Sequence, residues 1–301
     1  VVGRVPAGLG GKILTRASTL IQAAPAKPAT GVECFPAMGT RIELHRFGGG
    51  DADALSRARA AIEAVDDALT IHRPSAATTL NDALLAGRRS PIDDPILLDA
   101  LTRIHTAQEL TRGMFDPVAD LRLPGSGWGH VRFDARAARI ECSTPMALDF
   151  GGMGKGFALD HAVAALRDAG VDCALLSAGE SSIAVIGEHP LGGAWPFAIP
   201  DPRVDASTLV EIELVDEALS VSASVGTNVL APERAAMIRP GEGAVTAPRC
   251  AVVIDRLGSS AEMLSTALIV ADDARAAQLC DGRRRLLFDL APSAPFRTPV
   301  R

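Results

Sequence analysis

The sequence predicts an α+β fold of mostly antiparallel sheets flanked by helices. Strand-like and helix-like runs follow one another in mixed order with hairpin-length gaps, not as regular βαβ repeats. A chain of 301 residues with 48% hydrophobic content can bury a large core. A glycine-rich turn at 151–156 joins a strand-like run to a helix-like one. The expected organisation is a flexible N-terminal arm over 1–30 and a single domain over 31–301.

The run 41–47 alternates around Ile42 and Leu44 and reads as a strand. Asp51 is placed to cap a helix whose apolar stripe is Leu55, Ala58, Ile62, Val65 and Leu69. Asp94-Pro95 starts a second helix, a capping side chain followed by Pro at the first helical position. Leu97, Leu98, Leu101, Ile104 and Leu110 line it, and Gly113 stops it. Residues 121–130 hold Pro124, Gly125, Gly127 and Gly129 and read as a loop. Runs 139–142 and 146–150 read as short strands. A helix over 155–169 turns Phe157, Val163 and Leu166 inward and closes at Gly170. Strands are expected at 173–176, 183–186, 209–214, 250–254 and 284–290. A helix from Ser260 carries Met263, Leu264, Ala267 and Leu268. No internal repeat is visible.

Composition narrows the function. The formal net charge is −6, and no basic stripe is present, so nucleic acid is excluded as an expected partner. The five cysteines form neither a CxxC pair nor a Cys/His cluster, so zinc is not suggested, and an odd, dispersed set is no disulfide framework. Tyr is absent, leaving Phe, Trp or His for any ring stacking on a ligand. No apolar run approaches the roughly 18 residues that span a bilayer. The first thirty residues carry no acid and read as a loose arm or the remnant of a targeting segment. Membrane association is expected only through a leader outside this sequence.

Five segments hold chemistry. In 149–156, an acid, four glycines and Lys155 stand between a strand and a helix. Glycines let the backbone approach a ligand, a helix start favours phosphate, and Lys adds a point charge. The same pattern also suits a tight turn with a solvated Lys. It has neither the Walker spacing nor the dinucleotide GxGxxG. In 260–268, Glu262 and Thr266 lie four apart on one helix face, two oxygen donors suited to Mg²⁺. An acid near a helix start and a Thr bonded to its own helix read equally well there. Thr111 to Pro117 contains Met114, Phe115 and Asp116 in a helix-stop loop. Ala37-Met38-Gly39-Thr40 leads into a strand, and His72-Arg73-Pro74 follows a helix. Singly, each of these last three suits an ordinary loop.

Together the five resemble the FAD:protein FMN transferases of the ApbE type, in that family's order. The family carries M-G-T, an S-T-Y-R-like segment, A-F-D-P, D-x-G-G-x-x-K-G and D-A-L-[AS]-T-A-L. Here they read Met38 to Thr40, Thr70 to Pro74, Met114 to Pro117, Asp149 to Gly156, and Glu262 to Leu268, so the resemblance covers about 32–290. It implies an FAD site drawing on Met38, His72, Met114, Phe115, Asp116, Asp149, Lys155 and Ile238. It implies Mg²⁺ held by the Gly152 carbonyl, Glu262 and Thr266, with Glu262, Thr266 and Lys155 as the catalytic group. The implied reaction moves FMN from FAD to a Thr of an acceptor protein and releases AMP. Export to the bacterial periplasm is implied too, with a cytoplasmic location as the alternative.

Four positions depart from the family pattern. Glu262 replaces Asp, one methylene shorter. The T-S-G segment becomes Leu219-Ser220-Val221-Ser222-Ala223. H-I-I-D-P becomes Ala236-Met237-Ile238-Arg239-Pro240, so a candidate base for the acceptor hydroxyl is replaced by Ala236. N-L-G-G-D becomes Ser177 to Ser181, with Glu180 as the nearby acid. Two functional expectations therefore stand: an FMN transferase, or an FAD-binding protein (or slow FAD hydrolase to FMN and AMP) without transfer.

Overall fold

A computed structural model describes residues 29–118, 125–204, 207–224, 237–240, 242–245 and 247–290. In chain order, β1 (Gly31–Ala37) and β2 (Thr40–Phe47) precede α1 (Ala54–Leu69) and α2 (Ala76–Leu85). Then come β3 (Ser90–Pro91), α3 (Pro95–Leu110), a 3₁₀ turn (Trp128–His130), β4 (Val131–Asp134) and β5 (Arg139–Cys142). Next are α4 (Gly154–Asp168), β6 (Cys173–Ala178), β7 (Ser182–Ile186), β8 (Trp195–Pro200), β9 (Thr208–Leu214) and β10 (Ala218–Ala223). The last described elements are β11 (Ile238–Arg239), β12 (Gly243–Ala244), β13 (Arg249–Asp255), α5 (Gly258–Val270), α6 (Asp273–Leu279) and β14 (Arg285–Asp289).

Seven strands form one antiparallel sheet in the order β1-β2-β6-β7-β10-β13-β14. This is the α+β, antiparallel architecture expected from the sequence. Its central strands are buried on both faces, which explains their short, continuous apolar runs. Ala251 and Val253 of β13 join the core under the helices. Cys250, Val252 and Ile254 point the other way, into a second core capped by Trp195, Phe197, Ile199, Ile212 and Leu214 of the β8–β9 hairpin. All five cysteines are free, and burial pushes the Cys250 thiol up to about 11. Among the described residues no helix is long and apolar enough to cross a membrane.

The helix layer positions the site. Asp94 caps α3 by accepting from the Leu97 N–H at 2.8 Å, as its Asp-Pro start predicts. The α5 start has no such local cap: Leu257 stands in the N-cap position. Asp160 of α4 does this work from the neighbouring helix, accepting from the Gly258 N–H at 2.6 Å, the Ser259 N–H at 3.2 Å and the Ser259 hydroxyl at 2.6 Å. Arg103 of α3 donates to the same carboxylate at 2.6 Å. Burial raises the Asp160 pKa, and these donors and the Arg103 charge oppose the rise. Asp160→Ala is expected to lower stability by about 1–3 kcal/mol, because buried donors lose their acceptor. A lower urea midpoint with unchanged slope would show it; a parent-like midpoint would remove Asp160 as the anchor of α5.

Three expectations are corrected. Asp51 does not cap α1, which starts at Ala54; Asp51 pairs instead with Arg57, and its N–H goes to the Ala169 carbonyl. The run 146–150 is not a strand: the Asn81 side chain serves as its neighbour, donating to the Leu148 carbonyl at 2.9 Å and accepting its N–H at 2.8 Å. Regular strand pairing is unnecessary where one buried amide supplies both bonds. The helix expected from Ser260 starts two residues earlier, at Gly258. Residues 1–28 of the expected arm and 121–124 of the expected loop lie outside the described residues.

Candidate functional site

The Asp149 to Met153 turn links the buried 146–150 run to α4. The Asp149 carboxylate accepts the Gly151 N–H at 2.7 Å, and the Phe150 carbonyl accepts from Met153 and Gly154. The Asp149 N–H donates to the Pro117 carbonyl at 2.8 Å, which fastens this turn to the Phe115–Asp116 loop. The Phe115 ring in turn lies against Gly152, where an added Cβ would stand 3.0 Å from it. Two segments distant in sequence thus form one wall.

Glu262 lies across the α4 start. It is 3% exposed. One oxygen accepts the Gly156 N–H at 2.8 Å, and the other accepts the Ser182 hydroxyl at 2.5 Å. The Lys155 ammonium stands 2.9 Å from that second oxygen. One turn further along α5, Thr266 faces the same space, and an added Cβ on Gly152 would lie 3.7 Å from its hydroxyl. Among the described residues the Thr266 hydroxyl has no hydrogen-bond partner.

A cleft of about 200 Å³ is lined by these groups together with Ser181, Ser182, Ser220, Ser222 and Met237. Ser182 and Ser220 are cross-strand partners, and the Ser265 hydroxyl meets those of Ser220 and Ser222 at 3.0 and 2.7 Å. A second cleft of about 160 Å³ shares Gly151, Gly152, Met237 and Thr266 with the first. It adds Met114, Phe115, Asp116, Asp149 and Ile238. A third, also about 160 Å³, shares Asp149 and Gly151 and adds Met38, Asp66 and His72. The three adjoin as one trough running from the serines to His72.

Every site residue expected from the sequence lines this trough: Met38, His72, Met114, Phe115, Asp116, Asp149, Gly152, Lys155, Ile238, Glu262 and Thr266. Their local roles differ. Met38 has φ +53° and Gly39 φ +68°, a two-residue hairpin turn with both central residues left-handed. The Met38 N–H donates to Asp66 at 3.0 Å, and its side chain packs onto Gly154. The Asp116 carboxylate is used within its own loop, accepting from the Val118 and Trp128 N–H groups. Burial raises its pKa against the pull of those bonds. Of the six histidines in the sequence, only His72 lines the trough. Glu180 sits on the β6–β7 hairpin tip and does not line it. Ala236 lies outside the described residues.

Sequence reasoning missed Asp66, Ser181, Ser182, Ser222 and Met237. Ser220 and Ser222 are two apart on one strand, a spacing that sets them on one face. Ser181 and Met237 fall in segments set against the family pattern but received no site role there; Asp66 and Ser182 carry no local signal.

The donors suit a hard cation. A carboxylate, a free hydroxyl and a glycine turn converge, and the Lys155 ammonium already stands as a cation against Glu262. Among the described residues no group of three or more His, Cys, Asp or Glu side chains is arranged to hold a metal ion. Such a site holds an ion mainly with help from a ligand's oxygens.

The model of the ApbE family matches residues 119–287, more than half of the chain. A FAD:protein FMN transferase of Rhodobacter capsulatus is 29% identical over 205 residues, covering 58% of this chain and 38% of that protein. The chain therefore spans well under half the length of that relative. The apo flavinyl transferase ApbE of Pseudomonas stutzeri superposes with TM-score 0.71 at 24% identity, over 86% of this chain and 94% of that one. The flavin transferase ApbE of Vibrio cholerae gives TM-score 0.71 at 18% identity, over 86% and 93%. At such identities the two structures speak for the fold.

Proposed function

The chain belongs to the ApbE family, and from that premise we propose that it is a Mg²⁺-dependent FAD:protein FMN transferase. The observation that carries this reading is the single trough lined by all eleven expected site residues. The trough would hold FAD with its diphosphate beside Gly152, Lys155 and Thr266. Glu262, Thr266 and the Gly152 carbonyl would hold Mg²⁺. The bound ion would neutralise charge developing on the phosphate oxygens. Phe115 and the Asp149 turn would fix the flavin nucleotide, and Met38 and His72 would close the far end. The Lys155 ammonium would bind a phosphate oxygen. An acceptor Thr oxygen would then form a bond to the FMN phosphorus, its proton passing to solvent, as the bridging P–O bond breaks and AMP leaves with that oxygen.

Incubation with FAD, Mg²⁺ and a Thr-containing acceptor protein is expected to give a fluorescent, covalently flavinylated acceptor and an equal amount of AMP. An unlabelled acceptor with every divalent metal tried would reject the transfer. A second reading follows from the serine-lined end, which among described residues holds no imidazole. Water would then replace the acceptor, and free FMN would appear beside AMP. FAD retained unchanged would identify a binding protein instead.

Asp149→Ala removes the carboxylate that shapes the turn. It is expected to weaken FAD binding about tenfold, the equivalent of about 1.4 kcal/mol. Flavin fluorescence titration reads it, and parent-like affinity would exclude Asp149 from the site.

A further inference from the structure

Two of the three partners of the Glu262 carboxylate cannot leave. The Gly156 N–H is backbone, and the Ser182 hydroxyl is buried at the start of β7. The third can. The Lys155 side chain is 26% exposed, against 4% for Glu262, and borders the cleft. A buried carboxylate without a counter-charge is costly, so the ammonium departs only when another cation replaces it. The chain offers that cation few donors of its own. A divalent ion such as Mg²⁺ prefers six oxygens, so Glu262, Thr266 and one carbonyl leave it under-filled until diphosphate oxygens join.

We propose that Lys155 is a placeholder for the divalent cation, paired with Glu262 in the ligand-free protein and transferred to the diphosphate when the ion arrives. The proposal rests on the reading of the trough as an FAD site. It makes the two ligands cooperative. The ion alone must displace a tethered ammonium. FAD alone meets an engaged lysine and a trough bordered by Asp66, Asp116 and Asp149. Bound together, each removes the other's obstacle, and each raises the other's affinity by the same factor.

Mn²⁺ binding, followed by electron paramagnetic resonance with and without FAD, tests this. In the parent chain, FAD is expected to raise Mn²⁺ affinity by about tenfold or more. In Lys155→Met, Mn²⁺ alone is expected to bind about tenfold more tightly than in the parent, with most of the FAD-dependent gain gone. Lys155→Gln should repeat this and keeps the test readable if the Met variant does not fold. Ser182→Ala removes the other donor to the same oxygen but keeps the charge pair, so it should not reproduce the gain in Mn²⁺ affinity. Unchanged or weaker Mn²⁺ binding in both Lys155 variants would overturn the placeholder, as would a Ser182→Ala variant that reproduces the gain. A parent chain that binds no FAD, with or without Mn²⁺, would instead overturn the FAD reading, while the flavin-free Mn²⁺ titrations still decide the role of Lys155.

Discussion

Gly156→Ala is expected to destabilise the chain by about 3 kcal/mol or more, at the upper end of overpacking costs. The added Cβ would fall 2.1 Å from the Gly258 carbonyl oxygen, 2.3 Å from its carbon and 2.8 Å from the Ser259 nitrogen. These are backbone atoms of α5, so no rotamer change relieves the clash and the two helices must separate. Helix propensity pulls the other way, favouring Ala over Gly by about 1 kcal/mol. The expected sign is therefore opposite to what a helix-only argument gives. Separation would also draw the Gly156 N–H away from Glu262, so ligand binding should fall with stability. Thermal unfolding is the measurement, with a drop of about 1.5–2 °C per kcal/mol for a chain of this size. A variant as stable as the parent would show that α4 and α5 do not cross backbone to backbone at this point.

Thr266→Val is expected to reduce the proposed metal-dependent flavin transfer by about 10²–10³-fold, the loss typical of removing one electrostatic contact to a transition state. Its hydroxyl has no partner among the described residues, so folding should be little affected. Glu262→Ala should lose at least as much activity. It should also cost stability, because the Gly156 N–H and the Ser182 hydroxyl lose their acceptor and Lys155 its counter-charge. The contrast between the two variants separates a ligand-facing group from one that also holds α4 to α5. Single-turnover transfer at saturating FAD across a Mg²⁺ series would measure both. Two variants with the parent's rate and metal response would remove α5 from the site.

Much of this molecule is legible in local pattern. Asp94-Pro95 announces α3 because a capping side chain and a fixed φ act within one turn. The stripe from Leu55 to Leu69 announces α1 because its period is helical. Its start is misread at Asp51 because an acid near a helix start serves as readily in an ion pair as in a cap. α2 escapes notice because its capping box pairs Ser75 with Thr78 rather than with an acid or amide. β8 escapes because Pro196 and Pro200 read against a strand; both lie on its exposed positions, in a hairpin outside the main sheet.

The sequence by itself determined the α+β class, the helices with clear caps or stripes, and the residue types that converge on the trough. The fold decided what those residues do to one another. That Glu262 binds Lys155, Ser182 and Gly156 depends on α4 and α5 approaching at two glycines 102 positions apart. That Asp160 caps a helix far from it in sequence depends on the same crossing. Caps and stripes are short-range and leave a periodic trace along the chain. A carboxylate's partners are set by packing across the core, and packing leaves no such trace.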